Sequence, residues 1–118
     1  MTNHELVVKY PKIFPTGKNV SLPDGWIPLV DKMCELLQHD VDSHMLEQIV
    51  CRQAKEKFGG LRFYVEKATD IQTGIIRMTE HLSSSTCQNC GATNSLRVND
   101  KGWLKTLCDY CNPNSELN

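Results

Sequence analysis

The strongest constraint on this chain is a doubled motif near its C-terminus. Cys87-Gln88-Asn89-Cys90 is followed, after seventeen intervening residues, by Cys108-Asp109-Tyr110-Cys111. Two Cys-x-x-Cys units at this separation match a four-thiolate metal site. Zn²⁺ takes four ligands in a tetrahedron with metal–sulfur bonds of ~2.3 Å, and each unit offers two thiolates from one tight turn. Gly91 stands where such a turn commonly ends at positive φ. Between the units, Leu96-Arg97-Val98 and Trp103-Leu104-Lys105-Thr106-Leu107 read as strands around an Asn99-Asp100-Lys101-Gly102 turn, which folds the second knuckle back onto the first. The alternatives are two redox motifs or two disulfides. A redox Cys-x-x-Cys opens a helix within a βαβ unit, and neither pair has that setting. Four sulfurs close the coordination shell, so the predicted Zn²⁺ has no open position for a catalytic water and acts by stabilising a small ribbon.

With 118 residues, the chain has room for one domain carrying a zinc appendage. The sequence predicts an α+β domain over residues 1–84, a zinc ribbon over 85–112 and a flexible tail over 113–118. An apolar fraction of 40% and a charged fraction of 23% are those of a water-soluble globular protein. No apolar run approaches a membrane span, and the first residues lack the basic start and apolar core of a signal peptide. Six cysteines, four in a metal pattern, point to a reducing cytosol; Cys34 and Cys51 read as small buried hydrophobes. The formal net charge is −1, and four thiolates with one Zn²⁺ take it to about −3. Nucleic-acid binders usually carry a basic excess, so DNA or RNA is the less favoured class of partner.

Along the chain, residues 1–25 read as mostly irregular, with Lys9–Pro15 extended along the core. A helix is predicted from Pro28, with Leu29, Val30, Met33, Leu36 and Leu37 as its apolar stripe. Asp42 or Ser43 then caps a brief further turn through Leu46. Residues 49–65 read as a β-hairpin about a Gly59-Gly60 turn. That register sets Phe58 against Leu61, Lys57 against Arg62 and Lys55 against Tyr64. Ala54, Phe58, Leu61, Phe63 and Val65 then form the core face, interrupted by Glu56, and Lys55, Lys57, Arg62, Tyr64 and Glu66 the wet face. The competing reading carries a helix through Lys57, since Gln53–Lys57 favours helix. A second helix follows, capped by Thr69 or Asp70, with Ile71, Ile75, Met78 and Leu82 as its core stripe. The expected architecture is therefore a small antiparallel sheet with two helices, followed by the two-knuckle ribbon.

No Walker loop, dinucleotide fingerprint, nucleophile elbow, zincin motif or zinc-deaminase signature is present. His4, His39, His44 and His81 are scattered, and no catalytic constellation emerges, so the expectation is a protein that binds and does not catalyse. The candidate ligand site is the wet hairpin face. Lys55, Lys57 and Arg62 gather three cations beside the Tyr64 ring, with Trp26 as a further aromatic, which suits an anionic planar ligand such as a nucleotide. The alternative reading is a solvated strand face.

Several stretches together resemble a family of small uncharacterised phage- and prophage-encoded proteins with a C-terminal four-cysteine zinc ribbon. They are Lys9-Tyr10-Pro11-Lys12-Ile13-Phe14, Asp24-Gly25-Trp26, Lys55–Tyr64, Gly102-Trp103 and Thr106-Leu107-Cys108. The resemblance spans most of residues 9–111, and Lys57-Phe58-Gly59-Gly60-Leu61-Arg62-Phe63-Tyr64 is its most specific block. It implies a mobile-element origin and action in the cytosol of an infected bacterium, and it implies no reaction. The chain departs from the family in carrying Leu22-Pro23 where a cysteine is expected, so the resemblance assigns no second thiol site to Cys34 or Cys51. The leading expectation is a phage counter-defence protein that sequesters a small host nucleotide signal. The alternatives are a module that docks on and inhibits a host enzyme, and a zinc-ribbon nucleic-acid adaptor; an oligomer is compatible with each.

Overall fold

The computed structural model describes residues 1–114. The α+β class is as expected, with three helices and two small sheets among these residues. The expected flexible tail falls largely on residues 115–118, which lie outside the described residues.

The N-terminal stretch is a correction to the sequence reading, because it forms helix α1 (Asn3–Lys9). A capping box starts it: the Thr2 hydroxyl accepts from the Glu5 N–H while the Glu5 carboxylate accepts from the Thr2 N–H. Lys9–Phe14 is not extended either, since Ile13 and Phe14 both donate backbone N–H groups to the Tyr10 carbonyl. That turn buries Tyr10, Ile13 and Phe14, and Phe14 meets Phe63 edge to face at 6.1 Å.

Helix α2 (Ile27–His44) begins one residue before Pro28 and runs unbroken past Asp42 and Ser43. The predicted second turn is thus a continuation of one helix, ended by Met45 in the left-handed region at φ 50°. Its buried stripe is Ile27, Val30, Met33, Cys34, Leu37 and Val41, whereas Leu36 is exposed. Cys34 is fully buried as expected; burial pushes its thiol above the ordinary range and pushes Cys51 up to about 12.

The central sheet has the order β1-β2-β3, formed by Val20–Ser21, Val50–Lys57 and Gly60–Glu66. It is mixed and not purely antiparallel, because β1 pairs parallel to β2. The hairpin exists, but its turn is Phe58-Gly59, with φ of 54° and 82°, and Lys57 pairs with Gly60. Lys55 faces Arg62, Glu56 faces Leu61 and Ala54 faces Phe63. Moving the turn by one residue shifts both strands together, so side-chain parity survives: Ala54, Leu61 and Phe63 are buried, and Lys57 and Tyr64 are exposed. Phe58 is the exception. It sits at the turn, 62% exposed, and not in the core.

Helix α3 (Asp70–Ser83) carries the Thr69–Gln72 capping box. Its buried side is Gln72, Ile76, Thr79 and Ser83, so the predicted core stripe is wrong: Ile71, Met78 and Leu82 are exposed. The polar members of this buried side have specific partners. Gln72 donates to Asp40, Thr79 donates to the Ile75 carbonyl, and the Ser83 hydroxyl accepts from the Leu61 N–H at 2.9 Å. Glu80 likewise accepts from the Phe63 N–H at 2.9 Å, so α3 satisfies the outer edge of β3. At the opposite edge, the Asn3 side chain bonds both the N–H and the carbonyl of Leu22, just past β1.

Strands β4 (Leu96–Asp100) and β5 (Trp103–Leu107) form the second sheet in the predicted strand–turn–strand order, but Asn99 and Asp100 pair with Leu104 and Trp103, so the predicted Asn99–Gly102 turn narrows to Lys101-Gly102. No helix among the described residues is long and apolar enough to cross a membrane.

Candidate metal centre and cationic hairpin face

The second sheet folds its ends together, and the four predicted thiols meet. The sulfurs of Cys87, Cys90, Cys108 and Cys111 all lie within 4.8 Å of one another, with Cys90 and Cys108 at 3.6 Å. A tetrahedron with metal–sulfur bonds of ~2.3 Å has edges of about 3.8 Å, so the spacing fits one metal ion. Each knuckle is a hydrogen-bonded turn: Gly91 donates to the Cys87 carbonyl and Cys111 to that of Cys108. Gly91 has the positive φ that the sequence suggested, at 82°.

Electrostatics at the centre favour a cation. Burial raises the Cys87 thiol, but hydrogen bonds from the backbone at Cys108, Cys90 and Asn89 outweigh it and bring Cys87 down to about 6. At Cys90 the backbone of Ala92 lowers the thiol, but the neighbouring Cys108 and Cys87 side chains leave it raised. Cys111 is pushed up to about 12, first by the Cys108 thiol and then by burial. Four crowded thiols resist ionising together unless a positive ion sits between them.

The Asp24-Gly25-Trp26 stretch seats this centre on the helical body. Gly25 donates its N–H to the Gln88 carbonyl at 2.7 Å, and the Trp26 indole donates to the Thr86 carbonyl at 2.8 Å. A Cβ on Gly25 would lie 2.1 Å from the Cys87 carbonyl oxygen, which only glycine avoids. Trp26 is fully buried and has no ring face to offer a ligand, which removes it from the predicted ligand site. A second seam runs through Thr106, whose hydroxyl donates to the Gly59 carbonyl and whose N–H donates to the Gln88 side chain.

That seam brings the ribbon beside the hairpin turn and extends the cationic face. Lys55 and Arg62 are directly paired across the strands, an unfavourable like-charge pair in the absence of an anion. Lys57 lies over the Phe58 ring, 5.7 Å from its centroid. Tyr64 is on the same face but pairs with Gln53, farther from the turn. The sequence reading missed Arg97. A Cβ on Gly60 would lie 3.3 Å from Arg62 Nη1 and 3.7 Å from Arg97 Nη2, so two guanidinium groups from different sheets converge over this glycine. Lys57, Phe58, Trp103 and Leu104 line a cleft of about 370 Å³ together with Gly102 and Glu56, whose carboxylate accepts from the Gly59 N–H at 2.7 Å; Trp103 is 74% exposed, and neither arginine is among the lining residues. Of the predicted ligand residues, Lys55, Lys57, Arg62 and Tyr64 therefore share a face, while Phe58 and Trp103 supply the aromatic surface nearest the cations. No family model, curated protein or solved structure matches the chain.

Proposed function

We propose that the chain is a non-enzymatic binding protein whose cysteine centre holds a structural Zn²⁺ and whose hairpin face captures a small anionic planar ligand of the nucleotide class. One observation carries the ligand reading: Arg62 and Arg97 converge over Gly60, two residues along the hairpin from Phe58, which walls a cleft with Trp103. Guanidinium groups bind phosphate oxygens through parallel charge-assisted hydrogen bonds, and an aromatic face stacks on a base. Closed four-sulfur coordination suits a stabilising zinc and leaves the ion no catalytic position. In the setting that the family resemblance implies, such a protein would act as a phage counter-defence factor that sequesters a host nucleotide signal in the bacterial cytosol.

Calorimetry of the zinc-loaded protein against mono-, di- and cyclic dinucleotides tests the ligand reading. Arg62→Ala or Arg97→Ala should weaken binding by about 2 kcal/mol or more, roughly thirtyfold, and leave zinc content and fold intact. Trp103→Ala should cost roughly 1–3 kcal/mol through lost stacking. The absence of heat with every nucleotide, in protein shown to be folded and loaded, would sink it. Elemental analysis should find about one zinc per chain, and Cys87→Ser should abolish retention.

A further inference from the structure

The two arginines over Gly60 come from different parts of the molecule: Arg62 stands on β3 of the helical body and Arg97 on β4 of the ribbon. The ribbon has little apolar packing to hold Arg97 in place. Among the described residues, no side chain beyond Ile76 belongs to the hydrophobic core, and only Cys87 and Leu107 of the ribbon's apolar side chains are buried. A two-stranded hairpin without a core is marginal in water, so closure of the four thiolates about a metal supplies most of the order of β4 and β5. Thr106 carries that order to the other sheet. It pairs with Arg97 across the ribbon, stands two residues before Cys108, and donates its hydroxyl to the Gly59 carbonyl at 2.6 Å. Gln88, inside the first knuckle, accepts from the Thr106 N–H at 2.7 Å and donates its own N–H to the Thr106 carbonyl. Arg97 is thereby set against the hairpin turn, where its Nε would lie 3.1 Å from a Cβ on Gly59.

The charges at this junction oppose the seating. Among the described residues, none of Lys55, Lys57, Arg62 and Arg97 takes part in an ion pair, and the Glu56 carboxylate nearby is engaged by the Gly59 N–H. Cations brought together from two sheets repel, and an anion held between them turns that repulsion into attraction. We infer that metal and anion binding are linked: an anion bound by Arg62 and Arg97 tightens retention of the metal, and metal occupancy tightens the anion site. Both stabilise one arrangement, the ribbon seated on the hairpin turn, and a coupling of this kind is equal in both directions. The inference deepens the ligand reading above and rests on it for an anion between the two guanidinium groups. Its consequence is that loss of metal empties the ligand site, while a filled ligand site guards the metal.

Competition for zinc between the loaded full chain and a chromophoric chelator tests the linkage, with inorganic sulfate as the probe anion and chloride of equal ionic strength as the reference. Zinc should be held severalfold tighter in sulfate, and the gain should saturate; at sulfate ten times its own Kd the ceiling is about elevenfold. Arg62→Ala should retain zinc in chloride at least as well as wild type and gain nothing from sulfate. Arg62 lies outside the ribbon, so an effect of sulfate on the thiolates, on free zinc or on ionic strength would survive that substitution. Lys67→Ala, which removes a cation just past the far end of β3, should keep the full gain. Zinc retention that is the same in both salts would overturn the linkage, as would a gain that persists in Arg62→Ala. The nucleotide reading stands or falls separately. Calorimetric heat with a nucleotide that leaves zinc retention unchanged refutes the linkage alone, whereas a gain in sulfate without heat from any nucleotide supports the linkage and removes the nucleotide.

Discussion

Gly25→Ala isolates the contact between the metal centre and the body. The added methyl would lie 2.1 Å from the Cys87 carbonyl oxygen and 2.7 Å from the Gln88 carbonyl carbon and oxygen. These are backbone atoms of the knuckle itself, so relief requires the knuckle to move. Forcing one methyl group into a packed site costs about 1–3 kcal/mol. Loss of the 2.7 Å bond from the Gly25 N–H to the Gln88 carbonyl adds about 1 kcal/mol. The sum is about 2–4 kcal/mol, or a fall of very roughly 8–16 °C in melting midpoint for a chain of this size. Two further glycines serve as controls. Gly74→Ala lies in α3 with open space around it, so it should stabilise by up to about 1 kcal/mol. Gly102→Ala also meets open space but at φ +89°, so it should cost about 1 kcal/mol through backbone strain alone. Urea unfolding followed by fluorescence of the buried Trp26 measures all three, with chelator competition to follow metal retention. If Gly25→Ala is as mild as Gly102→Ala and keeps its metal equally well, the knuckle is not seated on Gly25.

Phe58→Ala should cost under about 0.5 kcal/mol, because the ring is at an exposed turn, whereas Phe63→Ala should cost about 3–5 kcal/mol in the same denaturation series. A reversal of that order would restore the Gly59-Gly60 turn. Cys34 and Cys51 predict an alkaline loss of stability. Their folded thiols are raised above the ordinary value of 9.0, so the contribution is complete below that pH and is lost as pH rises and only the unfolded chain ionises. Stability should fall from about pH 9 toward pH 12, with a shallower slope in Cys34→Ala/Cys51→Ala; an unchanged slope would assign the loss to other groups.

The four-cysteine cluster was legible in the sequence because its signal is local: two short spacings and one glycine specify it almost completely. The hairpin was legible in kind, since Leu61, Phe63 and Val65 alternate with polar residues. Its turn was not, because Phe58 adopts a left-handed conformation that costs most side chains energy, and Gly59-Gly60 is the cheaper local choice. The Thr2-x-x-Glu5 capping signature of α1 is in the sequence, but the reading of residues 1–25 rested on the prolines that follow and passed it over. In α3, periodicity pointed to the wrong side of the helix. Gln72, Thr79 and Ser83 are buried for their hydrogen bonds, and a count of apolar residues does not register that role. The meeting of Arg97 with Arg62 depends on how the second sheet lies against the first, which no local pattern encodes. The same is true of the seating of Gly25 on the knuckle.

Sealing both sides of the central sheet has a consequence for how the chain avoids misassembly. An open strand is a template on which other chains can polymerise. Here Asn3 occupies the backbone beside β1, while Ser83 and Glu80 occupy that of β3. Because α3 follows β3 in the chain, the template on that side stays exposed until the helix has been made and has docked. The vulnerable interval is therefore during synthesis and refolding. Damage to Ser83 or Glu80 would show itself there as insoluble material, out of proportion to any loss of equilibrium stability in the molecules that do fold.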